Sequence, residues 1–112
     1  MDNPLMKAVA LEDNNAHSIY DLLVAAGMNP ESIILNPTSI QITPDLDGPA
    51  GNIFIGNSDV STTQWGFKIV SGIRNDTQNF LGPMFLKSVH LMTDATVSAP
   101  TPLRIGVVLT QR

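Results

Sequence analysis

The chain contains no cysteine and few charged residues. With no cysteine among 112 residues, disulfide frameworks and thiolate chemistry are excluded, and stability must come from packing. Only 14% of the residues are charged, against about 25% in a typical soluble domain. So weakly charged a surface is tolerable where partners cover it, and it is also compatible with a neutral extracellular β domain.

Clusters of basic residues and long apolar stretches are also missing. The six lysines and arginines are scattered and the net charge is −4, whereas phosphate binding needs clustered basic side chains. We therefore exclude nucleic acid as a main partner. No run of 18 apolar residues occurs, so no membrane partner is expected. The polar, acidic start at residues 1–4 differs from a signal peptide, which predicts synthesis in the cytoplasm.

Short apolar segments with strand-like patterns follow one another along the chain. Gly and Pro turns separate them, and most are either bounded by glycines or alternate with period two. This pattern predicts an all-β fold, an antiparallel β-sandwich or jelly roll, in a single domain spanning 1–112. Segments 75–79 and 82–83 are predicted to bracket another connection. The predicted strands are 6–11, 32–35, 39–43, 52–55, 67–70, 84–92 and 103–110.

One segment has helical spacing instead. Ser18 precedes Asp21 by three residues, which suits a helix start because the hydroxyl satisfies a free N–H and the acid meets the positive helix end. Apolar residues then recur at helical spacing as far as Ala26, and Gly27 is a plausible stop. The sequence predicts one short helix over 18–26 that docks on the sheet.

The alternation also predicts a core. In segment 84–92, Phe85 is expected to share a face with Leu91, and Leu86 is expected to point the other way. Ile53 and Ile55 are assigned to the face opposite Phe54. The predicted core is Ile40, Ile42, Ile53, Ile55, Phe67, Ile69, Val89, Leu91, Ile105 and Val107.

The polar connection between the two glycine-bounded strands is the predicted contact site. It carries small hydrogen-bonding side chains and ends on the only tryptophan, a residue that is enriched at the centres of interfaces. Trp65 is either an exposed anchor for a partner or a cover for the core. The predicted partner-binding residues are Asn57, Asp59, Thr62 and Trp65.

Signals for catalysis or metal binding are weak. His17 and His90 lack acidic neighbours at ligand spacing, so packed or surface histidines are expected. The segment 45–48 resembles the first half of a calcium loop, but the downstream acidic ligand is missing. A plain turn is expected there, with an opportunistic Ca²⁺ site that includes Asp59 as the alternative. We expect that the chain has no enzymatic activity and that it binds neither a cofactor nor a resident metal ion.

Four segments together resemble a known type of protein. They are Gly51–Val60 (GNIFIGNSDV), Gly66–Gly72 (GFKIVSG), Leu91–Val97 (LMTDATV) and the final strand, Leu103–Leu109. The chain is similar in these segments to head decoration (cement) proteins and related auxiliary virion proteins of tailed bacteriophages. The resemblance implies a β-sandwich bound on a capsid lattice, as a homo-oligomer with a trimer favoured.

Two functions are compatible with these observations. The first is a structural virion protein that binds the major capsid protein or another virion protein, stabilises it by non-covalent contacts, and is made in the host cytoplasm. Whether it belongs to the head, neck or tail stays open. The alternative is a carbohydrate- or receptor-binding module whose site is formed by Trp65, Tyr20 and the polar loops.

Overall fold

The computed structural model describes residues 4–45, 48–71, 78–81 and 84–110. Within these ranges one α-helix, α1 (Ile19–Ala25), and two short 3₁₀ helices, Pro30–Ser32 and Leu86–Ser88, accompany eight strands. None of the helices in the described ranges is long and apolar enough to span a membrane. The strands are β1 (Leu5–Leu11), β2 (His17–Ser18), β3 (Ser39–Pro44), β4 (Gly51–Gly56), β5 (Phe67–Ser71), β6 (Gln78–Leu81), β7 (His90–Thr93) and β8 (Leu103–Thr110).

The strands form two antiparallel sheets of four, as the all-β prediction requires. The first has the order β1-β8-β3-β6 and the second the order β2-β7-β4-β5. Four of the pairings are nested along the chain, since β1 pairs β8, β2 pairs β7, β3 pairs β6 and β4 pairs β5. Two further pairings, β3 with β8 and β4 with β7, complete the sheets.

Both sheets direct apolar side chains into one buried cluster. In β8 the residues alternate between buried and more exposed, so that Leu103, Ile105, Val107 and Leu109 all face the core. The second sheet adds residues such as Ile53 to the same cluster. Burial of this alternating face fixes the register, because a one-residue slip would turn every one of these side chains to solvent.

The predicted helix is confirmed, with its ends one residue inside the expected range. Ser18 is the N-cap, and its Oγ accepts a hydrogen bond from the Asp21 N–H at 3.0 Å. The chain leaves the helix through Gly27, whose φ of +100° is a conformation that favours glycine. Ile19, Leu22 and Leu23 are buried against the sheets.

Some predicted strands are wrong. Segment 32–35 contains no strand: Pro30–Ser32 is a 3₁₀ helix capped by the Asn29 side chain, which accepts from the Glu31 N–H at 3.0 Å. Residues 78–81, expected in a connection, form β6. The other residues of that connection, 75–77 and 82–83, lie outside the described residues. The short strand β2 was not predicted.

Eight of the ten predicted core residues are buried, and two are not. Phe67, the first residue of β5, is 40% exposed. Val89 is only partly buried at the rim of the core. Segment 84–92 is not one strand: the 3₁₀ turn interrupts the alternation, so Leu86 is fully buried and Phe85 is 47% exposed, the reverse of the prediction. The confirmed residues are Ile40, Ile42, Ile53, Ile55, Ile69, Leu91, Ile105 and Val107.

A second, smaller cluster lies on the other face of the second sheet. Phe54 points away from Ile53 and Ile55, as predicted, and packs with Val60 and Met92. Since Val60 comes from the connection between β4 and β5, this cluster ties that connection to the sheet and positions the candidate site.

Candidate functional site

The segment from Asn57 to Gly66, which joins β4 to β5, is held in place by its own backbone. The Val60 N–H donates to the Asn57 carbonyl at 3.0 Å, and Ser61 and Gln64 exchange two backbone hydrogen bonds of 2.8 and 3.3 Å. The Gly66 N–H then donates to the Ile55 carbonyl at 2.8 Å, which returns the chain to the sheet. The segment is therefore an exposed loop whose conformation is held by backbone hydrogen bonds, both within the loop and to the end of β4.

The polar side chains of this loop divide into two groups. Ser61 Oγ accepts the Thr63 N–H at 3.2 Å and lies 3.3 Å from Thr63 Oγ1, so these hydroxyls hold the turn. Asn57, Asp59 and Gln64 are exposed, and within the described part of the chain their side chains make no hydrogen bond. Their amide and carboxylate groups are consequently free to bind a ligand.

Trp65 is partly exposed and packs on the outer face of the second sheet. Its ring lies against Phe54, with centroids 6.4 Å apart and an interplanar angle of 47°, and Lys68 Nζ lies 5.3 Å from its centroid. Yet 43% of the residue is exposed. Trp65 thus covers the small outer cluster rather than the main core, and keeps much of its aromatic surface available.

Three of the four predicted contact residues meet at one cleft. Asn57, Asp59 and Trp65 line a cleft of about 200 Å³ together with Gln64 and two glycines. Thr62 is exposed at the turn and does not line it. Sequence reasoning missed Gln64. The tight turn over residues 61–64 brings Gln64 to the cleft, but it contains none of the Gly or Asn residues that usually mark such a turn in a sequence.

Asn57 is also shared by two neighbouring hollows. One, of about 180 Å³, is lined mainly by apolar residues that include Phe67, Met84 and Val89. The other, of about 360 Å³, contains Lys87 and His90. We call the residues that line these three depressions the Asn57 surface. This surface combines exposed aromatic rings with polar side chains and with charged side chains of both signs.

Of the other candidate residues, His90 lines the hollow beside Lys87, whereas Tyr20 and His17 line none of the three depressions. Tyr20 is on α1, where Lys87 Nζ lies 4.6 Å from its ring centroid, and it does not line the Trp65 cleft. His17 pairs with Leu91 and His90 pairs with Ser18 across β2 and β7. Because directly opposed residues point to the same side of a sheet, the two histidines point to opposite sides.

Each histidine has a local contact of its own. His17 Nε2 lies 2.8 Å from Asp13 Oδ1, and this hydrogen bond is the main cause of the lowered pKa of Asp13. His90 Nδ1 lies 3.4 Å from the Ser88 carbonyl.

The calcium alternative cannot be built from the described residues. Asp47, one of its two leading carboxylates, lies outside them, and no group of three or more His, Cys, Asp or Glu side chains within the described ranges is arranged to hold a metal ion. Asp59 instead lines the Trp65 cleft.

Comparison of the chain with models of protein families, with curated proteins and with solved structures finds no match.

Proposed function

We propose that the two sheets form a jelly-roll sandwich. The support is the strand order. Nested antiparallel pairing joins strand 1 with strand 8, 2 with 7, 3 with 6 and 4 with 5. When a ribbon paired in this way wraps into two layers, the strand orders of the two sheets are 1-8-3-6 and 2-7-4-5, and these are the orders found here. The shared buried cluster between the sheets also fits a sandwich. Eight strands in two Greek keys define the jelly roll, which recurs in viral capsid and lectin domains.

We propose further that the chain is a structural protein of a tailed-phage virion. It binds the major capsid protein, or another virion protein, as a decoration (cement) protein and stabilises it by non-covalent contacts. The support is the resemblance in the four segments 51–60, 66–72, 91–97 and 103–109, together with the strand order. A fold does not define a function, so a decoration protein also needs a surface that can contact the capsid.

The exposed indole of Trp65 carries this proposal. It lies at the Asn57 surface, where the apolar hollow that contains Phe67 adjoins free amide and carboxylate groups. Interfaces commonly place aromatic anchors beside a polar rim in this way. We propose that Trp65 is the anchor and that Asn57, Asp59 and Thr62 contribute hydrogen bonds from the rim.

The stabilising effect follows from mass action. A protein that binds only the assembled lattice favours assembly by an amount set by its concentration relative to its dissociation constant. A small contact such as the Asn57 surface gains from multivalency when several copies are linked. A homo-oligomer, which the resemblance implies to be a trimer, would supply that linkage.

The test is cosedimentation with capsids. Because virion genes cluster, the proposal expects a major capsid protein to be encoded near this gene, and the capsid for the test is assembled from that protein. The wild-type chain should bind saturably. Trp65→Ala should weaken binding by about 2 kcal/mol or more, which is roughly 30-fold, while the circular dichroism spectrum stays unchanged.

Phe85→Ala is the matched control, because Phe85 is an aromatic residue of similar exposure, 47% against 43%, that does not line the three depressions. Failure of the wild-type chain to bind the capsid would reject the proposed function. Normal binding by Trp65→Ala would indicate that the capsid contact lies instead in one of the terminal segments, 1–7 or 110–112.

A further inference from the structure

The cleft beside Trp65 has the chemistry of a small polar ligand site. An exposed aromatic ring forms one wall, and the rest is provided by one carboxylate, two carboxamides and the backbone of two glycines. Glycine lines the cleft at positions 56 and 66, so no side chain from these positions fills it. A Cβ added at Gly56 would lie 3.2 Å from Val60 Cγ2. The Val60 side chain therefore packs closely against this glycine.

The polar groups of the cleft match a polyhydroxylated ligand. Each carboxamide of Asn57 and Gln64 can both donate and accept, and the Asp59 carboxylate accepts. Hydroxyl groups need such mixed partners because each one donates and accepts as well. These three side chains make no hydrogen bond within the described residues, so binding to them would break no hydrogen bond between protein groups. A ligand stacked on the same face of the indole as Lys68 would displace its Nζ, which lies 5.3 Å from the ring centroid.

The indole supplies the complementary apolar contact. A pyranose ring has a face of C–H groups and a rim of hydroxyls, and an exposed tryptophan offers a flat apolar surface with which such a face can pack. The Phe54 ring and the backbone bonds of the loop fix the position of Trp65 before any ligand arrives. A preorganised aromatic wall reduces the entropy lost on binding.

The volume of the cleft suits a ligand that consists of a single sugar ring. Its volume of about 200 Å³ is below the roughly 300–1,000 Å³ of pockets that hold drug-sized molecules. We infer that the cleft formed by Asn57, Asp59, Gln64 and Trp65 binds one pyranose residue, the terminal sugar of a glycan. The cleft shares Asn57, Asp59 and Trp65 with the proposed capsid contact, so this inference concerns the free protein, in which these residues are exposed.

Trp65 is the only tryptophan in the chain, so its fluorescence reports on this cleft alone. The experiment titrates the protein with the methyl glycosides of glucose, galactose, mannose, N-acetylglucosamine and fucose. A ligand with about 12 heavy atoms and an ordinary binding efficiency has a dissociation constant on the order of millimolar. At least one glycoside should give a saturable shift of the emission. A glycan array should then show the same terminal sugar.

Variants of the polar side chains separate this site from nonspecific quenching. Asn57→Ala and Gln64→Ala should each weaken the preferred glycoside at least fivefold, and Asp59→Asn, which keeps the shape but removes the charged acceptor, should do the same. Asn36→Ala is the matched control, because Asn36 is exposed and lies outside the cleft, and it should bind like the wild type. Trp65→Ala should lose binding on the array.

Three outcomes would overturn the inference: no saturable shift with any of the five glycosides, equal binding by wild type and Gln64→Ala, or an equal loss in Asn36→Ala. None of these results changes the capsid result, so the two proposals can fail separately. Cosedimentation without glycoside binding leaves only the structural proposal. Glycoside binding without cosedimentation leaves only the sugar site.

Discussion

Trp65 and Phe54 form a tilted aromatic pair in which one ring is buried and the other is largely exposed. Their centroids lie 6.4 Å apart, Phe54 is 3% exposed and Trp65 is 43% exposed. The pair links the exposed loop to the outer face of the second sheet. It therefore connects the stability of the small cluster to the geometry of the candidate site.

The two members of this pair should respond differently to truncation. Phe54→Ala removes a buried ring and should lower the free energy of unfolding by about 3–5 kcal/mol. Trp65→Ala removes mainly the aromatic contact and should cost about 1 kcal/mol. Urea denaturation followed by far-UV circular dichroism measures both. A loss in Trp65→Ala as large as in Phe54→Ala would show that Trp65 is a core residue rather than a contact residue.

A second contrast tests the main core. Ile42 is fully buried opposite Val107, so Ile42→Ala should cost about 2–5 kcal/mol. Phe67 was expected to be equally buried, but its 40% exposure predicts a smaller loss for Phe67→Ala, about 1 kcal/mol or less. Both losses of unfolding free energy are obtained from the midpoints of urea denaturation, with one m-value used for both variants. If the order of the two losses were reversed, the assignment of Phe67 to the rim would be wrong.

Sequence reasoning identified a strand together with its buried face where alternation is uninterrupted. In β8, four apolar residues at every second position predicted both the strand and its buried face. In segment 84–92 the same kind of alternation was misleading, because the 3₁₀ turn at Leu86–Ser88 changes which side chains face inward. Local pattern cannot report such a turn, since the Leu86 N–H is satisfied by the distant Leu35 carbonyl at 2.7 Å.

The candidate site was predictable only in part, for a similar reason. The polar loop and its tryptophan are visible in the sequence, and they led to three residues that do share a cleft. The contribution of Gln64 depends on the backbone bridge to Ser61. The hollows that meet at Asn57 depend on residues of segment 84–90, far away in sequence. Contacts of this kind are set by strand pairing and not by composition.

Thr93 should be important for stability although it lies outside the core cluster. It is fully buried, and its Oγ1 donates to the Asn52 carbonyl at 2.9 Å and accepts the Ala95 N–H at 3.0 Å. Thr93→Val keeps the shape but leaves the Ala95 N–H without this acceptor. The expected loss is about 1–3 kcal/mol, measured by urea denaturation. Thr93→Ser keeps the hydroxyl and should retain more of the stability than valine, and the opposite order would contradict the role of the hydroxyl.

Asp94 should make the stability depend on pH in the acid range. Its Oδ1 accepts the Asn52 backbone N–H at 2.7 Å and its Oδ2 accepts from Asn52 Nδ2 at 3.0 Å. The backbone bond is the main cause of the lowered pKa of Asp94, below the ordinary 3.8. Since the unfolded chain binds this proton more readily, the contribution of Asp94 to stability is complete above about pH 4 and is lost as the pH falls through the lowered pKa.

Asp94→Asn tests this relationship directly. The difference in unfolding free energy between wild type and variant should be largest at neutral pH and should shrink below about pH 4, where the wild-type carboxylate also becomes neutral. Other acidic groups, including Asp13, are common to both proteins and cancel in the difference. Asn52→Ala keeps the backbone donor and removes the carboxamide whose Nδ2 donates to Asp94. In this background the Asp94→Asn effect should be smaller but should follow the same pH profile. A difference that stays constant between pH 7 and about pH 2.5 would exclude the Asp94 carboxylate as the titrating group.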